Sequence, residues 1–372
     1  MARFRLREWF IRARQTSGQQ RMSPEEVDRI AGMFLALAKG EPLARPSRYW
    51  EELNKMNLAQ LSAHGYENFK RTIALNYFTW VRILPWDSQI VFLCKNLSLG
   101  AIFRAIWKAF GISAQRYFST IDVIQSFSYG LLGSLLWEYV LRLSLAEALL
   151  ALREPPEGNP PFLYPRPDMR VSQDLANSLL EYDSFQSAIR APGIILELGA
   201  GYGRNAFVIM KLHPKVKYVL VDIPPALWIA ERYLSTIFPE KRVFRYRDFE
   251  TFEDVADEYE RAEIAFLLSS QLAALPIDSV DLVINISSLH EMRADQVAYY
   301  MERFDNVLKP GGHLYIKQWK EAKVLFEGVT LVEADYPIPA GWATIMNRTA
   351  RVQTRFFESL YGKPDLIPPS PK

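Results

Sequence analysis

Apolar positions along the chain change texture near residue 154. Before it they recur at helical spacing. Ser23-Pro24-Glu25-Glu26 supplies an N-cap, a proline at the first helical position and a capping-box glutamate, and Val27, Ile30, Phe34 and Leu37 then follow to Gly40. The same spacing predicts helices over 49–61, 66–84, 99–110 and 131–153, broken at Gly65, Pro85-Trp86-Asp87 and Gly111. The run Glu154-Pro155-Pro156-Glu157-Gly158-Asn159-Pro160-Pro161, continued by Pro165 and Pro167, excludes helix and central strand and predicts a linker. Beyond it, a helix over 172–185 leads into short apolar runs at 194–196, 218–221, 264–268, 281–286 and 313–316, separated by helical segments. That alternation predicts a parallel sheet covered on both faces. Runs at 342–346 and 354–358 follow with no helix between them and predict a closing antiparallel pair. The expected organisation is a basic arm (1–22), an all-helical domain (23–153), a proline-rich linker (154–171) and an α/β domain (172–372).

A length of 372 residues fits two structural units, and 49% hydrophobic with 23% charged residues provides a sizeable core. The net charge of +2, with Lys and Arg spread along the chain, gives no field that would recruit nucleic acid. Cys94 is the only cysteine, so no intrachain disulfide or thiolate metal cluster can form, which fits a reducing cytoplasm. The opening MARFRLREWFIRARQ lacks the apolar core and cleavage site of an export signal. The apolar stretches 90–112 and 130–152 each carry three charges, Lys95, Arg104 and Lys108 or Glu138, Arg142 and Glu147, and are expected as buried helices rather than membrane spans. In the arm, Arg3, Arg5, Arg7, Arg12 and Arg14 alternate with Phe4, Leu6, Trp9, Phe10 and Ile11; a weak contact with an anionic membrane surface and a solvated arm are the two readings. Substrate binding and homo-oligomerisation are the roles open to the helical domain.

The sharpest chemical signal is Ile194-Ile195-Leu196-Glu197-Leu198-Gly199-Ala200-Gly201-Tyr202-Gly203-Arg204, a buried strand running into a glycine-rich turn and a helix. Glycines allow a sharp turn and close approach to a ligand, and a helix N-terminus offers free N–H groups. Dinucleotides and S-adenosylmethionine both exploit such a loop. The dinucleotide fingerprint places a third glycine where Arg204 stands, and Glu197 would repel a pyrophosphate. The same Glu197 suits the cationic amino group of S-adenosylmethionine. The next strand ends in Asp222, about 20 residues after the loop, the spacing at which a carboxylate meets a ribose diol. A tight turn for the glycines and a helix cap for Asp222 are the structural alternatives.

Further along, Phe266-Leu267-Leu268-Ser269-Ser270-Gln271-Leu272 through Leu275-Pro276, then Ser279-Val280-Asp281-Leu282-Val283-Ile284-Asn285, resembles the third strand, adenine-contacting turn and fourth strand of the class I S-adenosylmethionine-dependent methyltransferases. Leu308-Lys309-Pro310-Gly311-Gly312-His313-Leu314-Tyr315-Ile316 resembles their turn into strand five. This resemblance covers residues 172–360 and implies a Rossmann-like, seven-stranded methyltransferase sheet. It places Gln271 on the adenine edge and Leu272 on its face, with Glu197, Gly199, Gly201, Gly203, Arg204, Asp222, Ile223 and Asn285 completing the S-adenosylmethionine site. Arg204 would pair with the cofactor carboxylate or with Glu197. The helix before strand one would close over the cofactor, bringing in Gln173, Asn177 and, from the loop, Tyr202.

Several segments together resemble the sugar O-methyltransferases of bacterial polysaccharide and glycoconjugate pathways: Gly65-Tyr66-Glu67-Asn68-Phe69-Lys70-Arg71, Leu136-Trp137-Glu138-Tyr139, Gly158-Asn159-Pro160, Ser172-Gln173-Asp174-Leu175-Ala176-Asn177-Ser178, Asp222-Ile223-Pro224-Pro225-Ala226-Leu227 and Glu291-Met292. That likeness implies methylation of a sugar hydroxyl. Such a transfer needs an in-line geometry, a dry site and a base. His290 and Glu291 follow strand four, at the carboxyl ends of the strands where such sheets bind ligands. Either is a candidate base, and Glu291 is also a candidate orienter of His290. An imidazole pKa near 6.5 predicts a rate that falls below that pH; a partly exposed, inert histidine is the plain alternative. His64, His213 and His313 show no carboxylate arrangement for a metal, and none is expected. Tyr49, Trp50, Tyr66, Phe69, Tyr77, Phe78 and Trp80 suit either sugar stacking or a helical core. A methyltransferase of a non-sugar secondary metabolite and a non-catalytic binding protein on the same fold are the rival readings.

Overall fold

The computed structural model describes residues 22–74, 85–111, 123–143, 152–161, 163–166, 169–324 and 327–365. Helix α1 (Pro24–Lys39) begins on the expected capping box, with the Glu26 N–H donating to Ser23 Oγ at 3.2 Å and the Ser23 N–H donating to the Glu26 carboxylate at 2.8 Å. Then come α2 (Arg48–His64), a 3-10 turn (Tyr66–Arg71), α3 (Ser88–Asn96), α4 (Leu99–Gly111) and α5 (Val123–Val140). The helix expected over 66–84 is replaced at its start by the tighter turn. Asn68 leaves helical geometry there, and its side-chain amide donates to the His64 carbonyl at 2.9 Å. Tyr77, Phe78 and Trp80, like the arm 1–21, lie outside the described residues.

Residues 154–161, the start of the segment expected as a linker, are packed against the helices. Glu154 forms a buried ion pair with Lys70 at 2.6 Å, and its other oxygen accepts from Ser172 Oγ at 2.5 Å. Gly158, at φ +77°, lies so close to the Phe69 ring that a Cβ would come within 2.4 Å of it. A short hairpin of β1 (Tyr164–Arg166) and β2 (Met169–Val171) follows and leads into α6 (Gln173–Phe185), where Ser172 Oγ accepts from the Leu175 N–H at 3.0 Å as N-cap.

The α/β part continues with β3 (Ile194–Leu198), α7 (Arg204–Leu212), β4 (Lys217–Asp222), α8 (Ala226–Ile237), β5 (Val243–Phe244), α9 (Ala256–Arg261), β6 (Ile264–Leu268), β7 (Val280–Ile286), α10 (Ala294–Val307) and β8 (Leu308–Trp319). A separate hairpin, β9 (Glu321–Val324) and β10 (Val329–Val332), precedes β11 (Ala343–Thr349) and β12 (Phe356–Gly362). The central sheet has the order β11-β12-β8-β7-β3-β4-β6-β5, parallel from β8 to β5 and antiparallel at β12 and β11. It has eight strands where seven were expected, because Val243–Phe244 adds a two-residue edge too short to register as an apolar run. The antiparallel close is as the pattern predicts.

Alternation along the strands sorts two cores. Ile195, Tyr218, Leu220, Phe266 and Ile284 face α6, α7, α8 and the N-terminal helices, whereas Leu196, Val219, Leu267 and Val283 face α9 and α10. The first of these cores runs without a break from Ile30 and Leu61 through Trp137 to Leu234. The N-terminal helices therefore share a core with the sheet rather than forming a body of their own. Arg29 of α1 donates to Glu231 of α8 at 2.6 Å, and Arg232 of α8 pairs with Glu26.

Strand β3 has β4 on one side and β7 on the other, so successive connections diverge there and open a crevice at the carboxyl ends of these strands, where doubly wound sheets hold ligands.

Candidate active site

The crevice is a cavity lined by Glu197, Gly199, Gly201, Tyr202, Arg204, Asp222 and Ile223, by Gln173 and Asn177 of α6, and by His290, Glu291, Trp50, Tyr129, Trp319 and Phe356. The sequence-derived candidates absent from the lining are Gly203, Gln271, Leu272 and Asn285.

The three loop glycines all have positive φ, of 75°, 59° and 86°, but they differ in what surrounds them. A Cβ on Gly199 would meet Ser288 at 2.5 Å, and one on Gly203 would meet Leu234 at 2.8 Å, so these two serve close packing. A Cβ on Gly201 would meet nothing within 4 Å. Gly201 is thus where the loop turns its bare backbone to the cavity, and its N–H donates to Asp222 Oδ2 at 2.6 Å.

Alternation puts Glu197 and Tyr218 on one face of the sheet, and the Tyr218 hydroxyl donates to Glu197 Oε2 at 2.7 Å while Asn205 Nδ2 donates to Oε1 at 2.8 Å. Asp222, at the end of β4, also accepts from the Ile223 N–H at 2.7 Å. Burial pushes both carboxyls up to about 7, because their protein donors are neutral and none of the hydrogen bonds at either group comes from a cation. Two buried carboxyls that lack cationic donors fit a ligand bearing an ammonium group and a diol.

Arg204 does not pair with Glu197. Its guanidinium forks onto Glu181 of α6, at 2.6 Å to Oε2 and 3.2 Å to Oε1, and Lys317 of β8 adds a second cation at 2.8 Å. Burial alone would raise the Glu181 carboxyl, but the two cations hold it at about 2. Gln271 is likewise committed elsewhere: its amide oxygen accepts from the Leu268 N–H at 2.9 Å and its NH2 donates to the Arg247 carbonyl at 2.9 Å, closing the turn after β6. Leu272 is fully buried in the core beneath that turn, and Ser269 is the residue of this segment that reaches the cavity.

His290 is buried at 7% exposure. Its Nδ1 lies 2.9 Å from Gln318 Oε1, and the Gln318 amide is itself held by Nε2 donating to Asn285 Oδ1 at 2.6 Å. Asn285 completes the frame by donating to the Leu198 carbonyl at 3.0 Å and to Ser288 Oγ at 2.7 Å. With Oε1 turned toward it, Nδ1 must carry the proton, which leaves Nε2 as the acceptor. Burial lowers the His290 pKa to about 4, so the imidazole is neutral throughout the physiological range, and the value near 6.5 expected for an unperturbed ring does not apply. Glu291 is pushed the other way, up to about 8, by burial, although the Trp50 indole hydrogen-bonds it. Glu291 Oε1 stands 3.9 Å from His290 Nε2, and Oε2 is buried without a hydrogen-bond partner.

Residues 196–314 match the family model described as a methyltransferase domain. The sheet order is the Rossmann-like one expected from the sequence, and the methyltransferase-domain match implies S-adenosylmethionine as the cofactor. Human acetylserotonin O-methyltransferase is 25% identical over 123 residues, 33% of this chain and 29% of that protein, so the chain spans less than a third of the curated relative's length. Among solved structures, an S-adenosylmethionine-dependent methyltransferase from Aquifex aeolicus aligns over 49% of this chain and 88% of its own, at 15% identity and a TM-score of 0.32. One from Mesorhizobium loti aligns over 50% and 98%, at 16% identity and a TM-score of 0.33.

The methyltransferase domain acquires several site residues that lie outside the sequence motifs. Trp50 comes from α2, Tyr129 from α5, Gln318 and Trp319 from the end of β8, and Phe356 from the start of β12. The Ser47 hydroxyl donates to the Glu291 carbonyl at 3.0 Å and ties the N-terminal segment to this wall. Of the N-terminal aromatics, Tyr49, Tyr66 and Phe69 belong to the buried interior, and Trp50 alone of the described set reaches the cavity.

One consequence concerns protons. An ammonium beside Glu197 and hydroxyl donors beside Asp222 favour the ionised carboxylates. Cofactor binding at pH 7 is therefore expected to release protons, and affinity to rise as pH increases through about 7. Calorimetry in two buffers of different ionisation enthalpy reads this directly; identical heats at pH 7 would remove these carboxyls from the cofactor site.

Proposed function

We propose that this chain transfers the methyl group of S-adenosylmethionine to a hydroxyl group of a sugar or glycoconjugate. The observation that carries this reading is that His290, a neutral imidazole with its Nε2 free, lines the same cavity as Gly201 and Asp222. Glu197, Asp222 and the Gly201 backbone are the residues that would hold the cofactor, with Arg204 and Asn177 beside them. When bound, the cofactor supplies an electrophilic methyl group activated by its positive sulfur.

The chain's own residues do the rest. His290 Nε2 accepts the proton of the attacking hydroxyl, so that charge does not build on the oxygen as it is methylated. Glu291, neutral below about 8, serves as a hydrogen-bonding partner for the acceptor rather than as the base at neutral pH. Trp50, Tyr129, Trp319 and Phe356 exclude water and offer flat apolar faces, while Asp87 and Gln89 add polar groups to the same wall. Aromatic faces beside polar side chains suit a sugar ring. The name of the human relative, an O-methyltransferase of acetylserotonin, favours a hydroxyl acceptor too, and keeps an aromatic alcohol as the second reading. Sugars, glycoconjugates and phenols assayed side by side with isotope-labelled cofactor distinguish the two: turnover confined to phenols would overturn the sugar assignment.

Gln318 offers a test of the base. Gln318→Glu places a carboxylate against Nδ1, which stabilises the imidazolium and raises the His290 pKa from about 4, by about one to three units for a close opposite charge. The acid limb of the kcat profile is expected to move up by that amount. An unmoved limb would mean that the limb does not report His290.

A further inference from the structure

Helix α4 packs in the opposite sense to an ordinary surface helix. Its inward residues are Ala101, Ala105 and Ala109, exposed by 0, 0 and 3%, and they let α4 lie close against α5. Its large apolar residues point outward: Leu99 is 74% exposed, Phe103 69%, Trp107 81% and Phe110 74%. Spacings of four, four and three put these side chains on one stripe. Phe110 touches Phe127 of α5, with ring centroids 5.0 Å apart, but the stripe as a whole faces outward, and a contiguous exposed apolar stripe marks an interaction surface.

We propose that this stripe docks the protein on an anionic lipid surface. Three features select that occupant. The first is charge. Neither α3 nor α4 contains an acidic residue, and Lys95, Arg104 and Lys108 are their charged side chains. Arg104, with its side chain 59% exposed, and Lys108 lie beside the stripe, and Glu138, with which both pair, is buried. The second is area. Four side chains on a helix of 13 residues offer on the order of 500 Å² of apolar surface, which falls short of the roughly 800 Å² per partner of a standard protein interface. The third is residue type, since the most exposed member is a tryptophan, whose ring settles at the headgroup level of a bilayer. At 13 residues α4 is too short to cross a bilayer, so the contact lies in the plane of the interface.

The test uses the full chain, sedimented with vesicles of phosphatidylcholine alone or with a quarter of phosphatidylglycerol. Wild type is expected to bind the anionic vesicles, and less so in high salt. The Phe103→Ser, Trp107→Ser double variant, altered only at exposed positions, should keep its melting temperature and cofactor affinity while losing vesicle affinity at least about tenfold. Equal binding of variant and wild type, or no binding by wild type, would overturn the proposal. So would a wild-type dimer in the ultracentrifuge that the double variant splits to monomers, with neither binding vesicles; a second copy would then be what covers the stripe.

Discussion

Gly201→Val is expected to abolish measurable S-adenosylmethionine binding, and Asp222→Ala to weaken it by about ten- to a hundredfold, the worth of hydrogen bonds to a charged group. The reasons differ. At Gly201 a side chain meets no protein atom, so it would stand in the space the cofactor needs. The left-handed backbone at φ +59° adds a strain of about 1–2 kcal/mol for any residue with a Cβ, and more for a β-branched one. At Asp222 the loss is of acceptors, both for the ribose and for the Gly201 N–H that fixes the loop. Gly199→Val makes the useful contrast. Its side chain would strike Ser288, so it should lower the melting temperature far more than Gly201→Val does. Titration calorimetry and thermal melts separate these outcomes. Cofactor affinity unchanged in both Gly201→Val and Asp222→Ala would place the cofactor elsewhere.

The parts of this fold that depend on local pattern were legible in the chain. Ser23 and Ser172 cap their helices through residues three positions on, and the strands carrying Glu197, Asp222 and Asn285 are contiguous apolar runs that need no distant information to be read as strands. The glycine loop was legible as a turn, but the division of labour within it was not. That Gly199 and Gly203 answer to Ser288 and Leu234, and only Gly201 to the cavity, depends on contacts made across the sheet.

Most of the site's support lies in such long-range contacts. Glu181 sits in the middle of a helix and reads as an ordinary polar position, yet burial between Arg204 and Lys317 makes it the anchor that takes Arg204 away from Glu197. Gln271 has the side chain of a ligand-binding residue, but both ends of its amide are spent on backbone groups of its own neighbourhood. Glu154 lies in a proline-rich stretch that resembles a linker, and its buried pairing with Lys70 and the packing of Gly158 on Phe69 show that the stretch is held. Gln318, at the end of a strand, had no motif to announce it; its role follows from a geometry that joins residues 285, 290 and 318.

Replacing His290 by alanine is expected to cut turnover by about 10²- to 10⁴-fold with cofactor affinity nearly unchanged, the usual contribution of a positioned acid–base group. In the wild-type enzyme the imidazolium cannot accept the acceptor's proton, so at saturating cofactor the turnover rate should hold from neutral pH downward and fall only as pH drops through about 4. His290→Ala should remove that limb. Glu291→Gln keeps a neutral hydrogen-bonding group where a neutral carboxyl stands at pH 7, and its loss should therefore be small. If instead the carboxylate were the base, the wild-type rate would rise toward and above pH 8, Glu291→Gln would be the severe variant and His290→Ala the mild one. Full rates in both variants would leave positioning against the cofactor as the whole of the chemistry. The pH profile and the two substitutions thus decide together, because burial has driven the two neighbouring groups to opposite sides of neutrality.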